Sequence, residues 1–149
     1  MTTQITPHFT KEDLVHSDYA IAHHIDNSIP DSLFPKAERL CKEMEDVRAF
    51  LTQHYSKVVE IFPSSGYRCP ELNAAVHGQP TSQHMALEAM DFHTSVGTVQ
   101  EVWGLIKDSN LPYDQLILEH DASGNIWVHY SVSRPNQNAR HMAFKLEKK

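Results

Sequence analysis

The sequence predicts an α+β fold in which helices pack against a central antiparallel sheet. First, residues 31–54 carry apolar side chains at the spacing of one helix face. Second, residues 57–62 and 89–93 have the β-branched or alternating character of strands. Third, two apolar segments flank the turn-rich loop 120–125, which predicts a β-hairpin. A length of 149 residues suits one domain with a buried core, assigned to residues 1–149.

The first half of the chain is dominated by the long helix predicted at residues 31–54. A shorter helix is expected after Thr10, a candidate N-cap that acidic residues follow. Pro30 keeps the residue before it out of the helical region, so a loop separates the two helices. We expect the long helix to form core through one apolar stripe, made of Leu33, Ala37, Leu40, Met44, Val47 and Leu51. The strand predicted at 57–62 follows it and is bounded by Pro63.

The second half alternates loops with shorter elements. Pro70 suits the first position of a helix, and Thr98 with Glu101 forms a capping box at the start of another. In chain order we predict a turn at 64–70, a helix at 70–76, a loop at 77–81, a strand at 89–93, a helix from 98 to about 109, hairpin strands at 115–119 and 126–132, and a last strand at about 141–146 beside the hairpin.

Composition excludes several classes of function. The formal net charge is −6 and no run of Lys or Arg occurs, which argues against nucleic acid as a partner. No apolar stretch approaches the roughly 20 residues that cross a bilayer, so no membrane segment is expected. The first residues lack the basic and apolar regions of a secretory signal, which predicts synthesis in the cytoplasm without a signal peptide. Cys41 and Cys69 are expected to be reduced thiols.

Three residues form a candidate metal site. His84 and Asp91 lie seven positions apart, and His129 stands in a separate apolar segment. Two imidazoles and one carboxylate are the minimal protein ligand set of a catalytic zinc site, which leaves the fourth position for water. The spacing alone is weak evidence in a chain with 11 histidines. The alternative for His129 is a core histidine on a strand, and the helical motif His-Glu-x-x-His is absent.

Four blocks of sequence, in the right order, extend this reading. They are Ser64-Ser65-Gly66-Tyr67-Arg68, Pro70-Glu71-Leu72-Asn73, Ser82-Gln83-His84 with Ala89 and Asp91, and Trp127-Val128-His129. Together they resemble the M15 peptidase family of zinc D,D-carboxypeptidases, D-alanyl-D-alanine dipeptidases and phage L-alanyl-D-glutamate endolysins. The resemblance runs from about residue 9 to 133 and is greatest to the short bacterial and phage members.

The resemblance implies a Hedgehog/DD-peptidase-like fold and a metallopeptidase that hydrolyses peptidoglycan stem peptides. Zn²⁺ would be held by His84, Asp91 and His129. Arg68 matches an arginine that binds a substrate carboxylate or steadies the oxyanion, although a structural turn residue is the alternative. Ser82 matches a site residue beside the first ligand histidine and is assigned to substrate binding. Without a signal peptide, the protein would act on the cell wall after release, as a phage or prophage lysin does.

Two departures from the family pattern concern the site. Leu87 stands where the family usually has glycine, and Ile126 stands where many members carry a catalytic acid. We predict that Glu119 replaces that acid, provided that it pairs with Trp127 across the hairpin and so shares a face with His129. A register slipped by one residue would turn Glu119 to the other face.

The remaining alternatives are chemical and functional. Glu88 and His93 are weaker candidates for the general base. The rival function is a catalytically degenerate M15-fold protein that binds metal or cell-wall peptide without hydrolysis.

Overall fold

A five-stranded sheet forms the centre of the protein, and helices cover one of its faces. The structure is a computed structural model that describes residues 3–147. The helices are α1 (Lys11–Val15), α2 (Asp18–Ala22), α3 (Phe34–Tyr55, after a 3-10 turn at Asp31–Leu33), α4 (Pro70–Ala75) and α5 (Val99–Lys107). The strands are β1 (Gln4–Thr6), β2 (Phe9–Thr10), β3 (Ile61–Ser65), β4 (Ala89–Thr94), β5 (Gln115–His120), β6 (Ile126–Ser131) and β7 (Met142–Glu147).

The central sheet has the strand order β3-β4-β6-β5-β7, while β1 and β2 form a separate small pair. The α+β prediction is confirmed. Neighbouring strands are antiparallel as predicted, except that β7 runs parallel to β5. Both edges of β6 are already occupied, so the free edge of the hairpin is that of β5, where β7 adds. The chain returns to the start of β5, where the Arg140 amide donates to Asp114, and β7 therefore runs in the direction of β5.

Alternation along the strands separates a core face from a polar face. Met90, Phe92, Leu116, Val128 and Tyr130 are buried in one cluster with the apolar stripes of α3 and α5. On the opposite face, direct pairing aligns Asp91 with His129 and His129 with Ile117. The stripe of α3 is buried as predicted at Ala37, Leu40, Met44, Val47 and Leu51. The core therefore lies on one face of the sheet, and the candidate ligands lie on the opposite face.

One strand begins later than predicted. The segment 57–62 was expected to be a strand, but β3 spans Ile61–Ser65, so two serines assigned to a turn lie in the strand. Val58 is 62% exposed, and a proline inside the strand is tolerated because β3 is an edge strand, where a missing N–H faces away from the sheet.

Elsewhere the predicted elements agree with the structure or were missed. The helix after Thr10 has a full capping box, whereas β1, β2 and α2 were not predicted because each has at most five residues. Within residues 3–147, no helix has both the length and the apolar character needed to cross a bilayer. The assignment of 1–149 to one domain stays a prediction.

Candidate metal centre

Three different segments deliver the candidate ligands to one point on the polar face. Asp91 on β4 and His129 on β6 are directly paired across the sheet. His84 comes from the turn that precedes β4. One ligand atom from each of the three residues lies within 4.8 Å of the others, and all three residues are buried. The cluster of two imidazoles and one carboxylate proposed from the sequence is therefore assembled in space.

The hydrogen bonds of His84 define which of its nitrogens faces the cluster. Nδ1 lies 2.8 Å from the carbonyl oxygen of Gly66. Because a carbonyl only accepts, Nδ1 carries the hydrogen, and Nε2 is the atom that presents a lone pair. Nε2 lies 3.3 Å from Asp91 Oδ1. Burial lowers the pKa of His84, which disfavours the imidazolium form.

This arrangement fits a cation. A lone pair of a neutral imidazole facing a carboxylate oxygen at 3.3 Å is repulsive unless a positive charge lies between them. Burial alone would raise the pKa of Asp91, but positive charge at His84 and the hydrogen bond from His129 hold it well below its usual range. With His84 neutral, a bound cation would supply that positive charge and keep the carboxylate ionised. Ligand atoms about 2.0–2.1 Å from a tetrahedral Zn²⁺ are roughly 3.3 Å apart. The separation between His84 and Asp91, and that of 2.9 Å between His129 Nδ1 and Asp91 Oδ1, are close to this value.

The turn that carries His84 ends at Leu87 in a left-handed conformation. Leu87 has φ of +54°; its amide donates to the His84 carbonyl, and the Glu88 amide donates to the Gln83 carbonyl. This is the hydrogen-bond pattern of a Schellman motif, whose left-handed position usually holds glycine. The side chain of Leu87 is fully buried in the core. The departure from glycine thus preserves the backbone turn at a conformational cost that core packing offsets.

A second loop positions Arg68 beside the cluster. The Arg68 amide donates to the His84 carbonyl at 3.2 Å, and its Nη2 donates to Ser82 Oγ at 3.1 Å. Burial lowers the pKa of Arg68, while Asp91 and Glu119 raise it, and guanidinium stays charged under such shifts. Its buried Nε has no hydrogen-bond partner within the described part of the chain. Arg68 and Ser82 are therefore brought to the predicted site, with a donor left for a ligand.

Asn27 stabilises this loop through hydrogen bonds to the residues before and after Arg68. Its Nδ2 donates to the carbonyls of Val15 and Tyr67, each at 2.9 Å, and its Oδ1 accepts from the Cys69 amide at 2.8 Å. Asn27 lies within the stretch of the family resemblance, but the sequence alone assigns it no role at the site. Its position 40 residues before Tyr67 gives no local signal of this contact.

The hairpin register decides where Glu119 lies. Glu119 pairs with Trp127, and Ile117 pairs with His129, so Glu119 and His129 share a face as required. Glu119 Oε2 lies 4.0 Å from His129 Nδ1 and accepts a hydrogen bond of 2.8 Å from Trp127 Nε1. Ile126 alternates onto the other face. The register condition of the prediction is met, and the carboxylate is next to the candidate ligands.

The other candidates for the general base lie elsewhere. Glu88 is buried and paired with Lys36. The His93 ring nitrogen Nε2 lies 2.7 Å from the carbonyl oxygen of Ile126. Neither residue lines the pocket in which Glu119 and His129 stand.

That pocket has a volume of about 610 Å³ and contains the candidate site residues Arg68, Ser82, His84, Glu119 and His129. The rest of its lining is formed by residues 76–79, 81, 83, 115, 117, 134, 140, 144 and 146. The volume is in the range of ligand-binding clefts. A cavity of about 540 Å³ between α3 and α5 contains none of the candidate ligands, so the chemistry belongs to the sheet face. The lining residues after position 131 were not predicted, because they follow the last recognisable block of sequence.

Comparison with known proteins bears on the identity of the site. A family model described as Peptidase M15 matches residues 7–130. The match includes the three candidate metal ligands, Arg68 and Glu119. No curated protein matches the chain.

Proposed function

The chain belongs to the M15 peptidase family, and from that premise we propose that it is a zinc-dependent peptidase that hydrolyses peptide bonds in peptidoglycan stem peptides. Membership of this family identifies the protein as a peptidase. The observation that carries the metal in this proposal is the buried cluster of His84, Asp91 and His129, whose ligand atoms lie within 4.8 Å of one another. A carboxylate and a guanidinium line the same pocket, and these groups can serve as a general base and as a donor to negative charge.

In this proposal His84 Nε2, Asp91 Oδ1 and His129 Nδ1 hold Zn²⁺. The bound ion polarises the scissile carbonyl and lowers the pKa of the attacking water. The hydrogen bond from His84 Nδ1 to the Gly66 carbonyl fixes the ring so that Nε2 faces inward, which is how outer partners orient ligand histidines. The protein thus contributes a preformed set of donors on rigid elements.

Glu119 is the proposed general base. Its Oε2 lies 4.0 Å from a proposed ligand atom, His129 Nδ1, so a water near that atom is within hydrogen-bonding reach. The hydrogen bond from Trp127 Nε1 holds the carboxylate in this position. Glu119 takes a proton from the attacking water and returns it to the leaving amine nitrogen, which balances the hydrolysis of a peptide bond.

Arg68 is proposed to bind a carboxylate of the substrate or the oxygen on which negative charge develops. Its guanidinium is fixed by Ser82 and has an unpaired buried Nε within residues 3–147. A buried donor without a partner is costly in the free protein. An anionic substrate group that accepts from Nε would remove this cost.

The second candidate function is a protein of the same fold that binds metal or wall peptide without hydrolysis. The observation in its favour is Ile126, which stands where many family members carry the acid. Glu119 distinguishes the two functions, because only hydrolysis requires its carboxylate.

The test is the release of free amines from purified peptidoglycan, followed by mass spectrometry of the soluble products. A peptidase releases amines in proportion to enzyme, stops after chelation and resumes when zinc is returned. Products of one defined mass difference identify the bond. Zinc binding without amine release would replace the proposal with the binding-protein alternative.

A further inference from the structure

One wall of the metal pocket is built from residues that follow the matched segment. Arg134, Arg140, Phe144 and Leu146 all line the pocket, whereas the family match ends at residue 130. The parallel pairing of β7 with β5 holds this wall against the sheet. The side chains of this wall therefore bear on which ligand the pocket accepts.

The pocket is basic although the protein is acidic. The chain has five arginines and a formal net charge of −6. Three of those arginines, Arg68, Arg134 and Arg140, line this one pocket, and Glu119 is the only acidic residue among the lining residues. Although Glu88 and Asp114 lie beside Arg134 and Arg140, the lining carries more positive than negative charge, and such a cleft concentrates ligands of the opposite sign. An anionic ligand is the chemistry that fits this lining.

The three guanidiniums occupy two separate places. Arg68 lies beside the metal cluster, where it interacts with Asp91 and Glu119. Arg140 is bound to Asp114, the residue before β5. Strand β5 rises about 3.3 Å per residue, so Gln115 at its start lies roughly 7 Å from Ile117, the residue that pairs with His129.

Arg134 is connected to Arg140 through the segment 81–83. Its Nη2 donates to the Thr81 carbonyl at 2.8 Å, and the Gln83 side chain hydrogen-bonds to Asp114, which is the partner of Arg140. The second basic group is thus displaced from the metal cluster by about the length of one or two peptide residues.

Both guanidiniums of this second basic group are held beside buried carboxylates and remain partly exposed to a ligand. Arg134 Nη1 lies 3.8 Å from Glu88 Oε1. Asp114 accepts from Arg140 Nε at 2.9 Å and from Nη2 at 2.8 Å, and Nη1 has no hydrogen-bond partner among residues 3–147. The side chains of Arg134 and Arg140 are 33% and 42% exposed. Groups that are already ordered lose little conformational entropy when a ligand binds.

We infer that Arg134 and Arg140 form a second carboxylate-binding subsite, so that the substrate is a peptide with an acidic group one or two residues from the bond beside the metal. This subsite is distinct from the carboxylate or oxyanion contact of Arg68. The inference deepens the proposed function and rests on it for the reaction. The binding of an acidic peptide, however, can be measured without any reaction.

The test uses soluble stem peptides that are identical except that one carboxylate at a time is replaced by its amide. Cleavage is measured as kcat/KM with the zinc-loaded protein, and Kd is measured by calorimetry with the metal-free protein. The variants are Arg134→Gln and Arg140→Lys. The control is Arg48→Gln on α3, because Arg48 does not line the pocket.

One carboxylate is expected to matter most. Its amide should lower kcat/KM and raise Kd about 10-fold or more, as charge-assisted hydrogen bonds of roughly 1.5–3 kcal/mol predict. In Arg134→Gln the ratio between acid and amide peptides should fall toward one, and in Arg140→Lys it should fall part of the way. Arg48→Gln should keep the wild-type ratio. A merely structural role would lower the values for both peptides by the same factor and would overturn the inference.

The outcomes separate the two proposals. If no peptide is cleaved but the acid peptide binds more tightly and Arg134→Gln removes that preference, the subsite stands and the proposed reaction fails. If peptides are cleaved and no carboxylate changes either kcat/KM or Kd, the reaction stands and the subsite is refuted. If acid and amide peptides are neither cleaved nor distinguished in binding, both proposals are refuted.

Discussion

Replacing the carboxylate of Glu119 by an amide is the sharpest test of the proposed chemistry. Glu119→Gln retains the size of the side chain and an oxygen that can accept the hydrogen bond from Trp127 Nε1, which is 2.8 Å long. The free energy of unfolding should therefore change by less than about 1 kcal/mol. Glu119 Oε2 lies 4.0 Å from His129 Nδ1, and an amide in its place cannot take a proton from an attacking water. Loss of a general base lowers kcat by roughly 10²–10⁴-fold, or about 3–5 kcal/mol in the activation barrier.

The assay is the rate of amine release from purified peptidoglycan, measured with zinc content and thermal unfolding on the same samples. Glu43→Gln is the matched control, since the Glu43 carboxylate also accepts a hydrogen bond from an aromatic side chain, that of Tyr130, but does not line the pocket. The amide retains an accepting oxygen, so kcat should stay within about fivefold of the wild type. Full turnover by Glu119→Gln, with the metal retained, would refute Glu119 as the base.

Three further predictions concern the residues that support the site. Asn27→Ala leaves the Cys69 amide and two carbonyls without their partner, so the free energy of unfolding measured in urea should fall by about 2–4 kcal/mol. The control Asn125→Ala, in an exposed loop, should lower it by less than about 1 kcal/mol. An equal effect of both substitutions would contradict the role of Asn27. Leu87→Gly should be less destabilising than Leu87→Ala by about 1–2 kcal/mol, because only glycine removes the conformational cost of a left-handed backbone, and φ at this position is +54°. The reverse order would show that the turn is unstrained. Burial alone would raise the pKa of Asp114, but the hydrogen bonds from Arg140 hold it below its usual range. The stability that this carboxylate contributes is therefore present above about pH 4 and lost as the pH falls below that value. The difference in unfolding free energy between the wild type and Asp114→Asn should disappear in acid, and a difference that stays constant with pH would contradict the assignment.

The elements that could be predicted are those with a strong local signal. The stripe of α3 follows helical spacing over 22 residues, and the hairpin of β5 and β6 is marked by a turn-rich loop. Thr10 and Thr98 locate helix starts because each side chain accepts a hydrogen bond from the amide three residues later. The predicted capping box at Thr98 is nevertheless only half formed, since the Glu101 carboxylate accepts from Tyr55.

The elements that were misjudged depend on distant contacts. The start of β3 is set by its pairing with β4, in which Ile61 lies opposite Thr94 in a distant part of the chain. The parallel direction of β7 is set by the contact between Arg140 and Asp114, which are 26 residues apart. Local sequence patterns do not encode such pairings.

The candidate site shows the same division. His84, Asp91 and His129 were identified from motif blocks, and the sheet register then accounts for their meeting. Glu119 depended on a register that the sequence left open and that the structure supplies. Arg134 and Arg140 could not be predicted, since only the return of the chain along β5 brings them to the pocket.

The central claim is that His84, Asp91 and His129 hold zinc. The most direct measurement is the zinc content of the purified protein after reconstitution and removal of excess metal. We expect about one zinc ion per chain for the wild type and for His93→Ala, whose histidine is outside the pocket. His129→Ala should retain much less. No zinc in the reconstituted wild type, or an unchanged content in His129→Ala, would contradict the account.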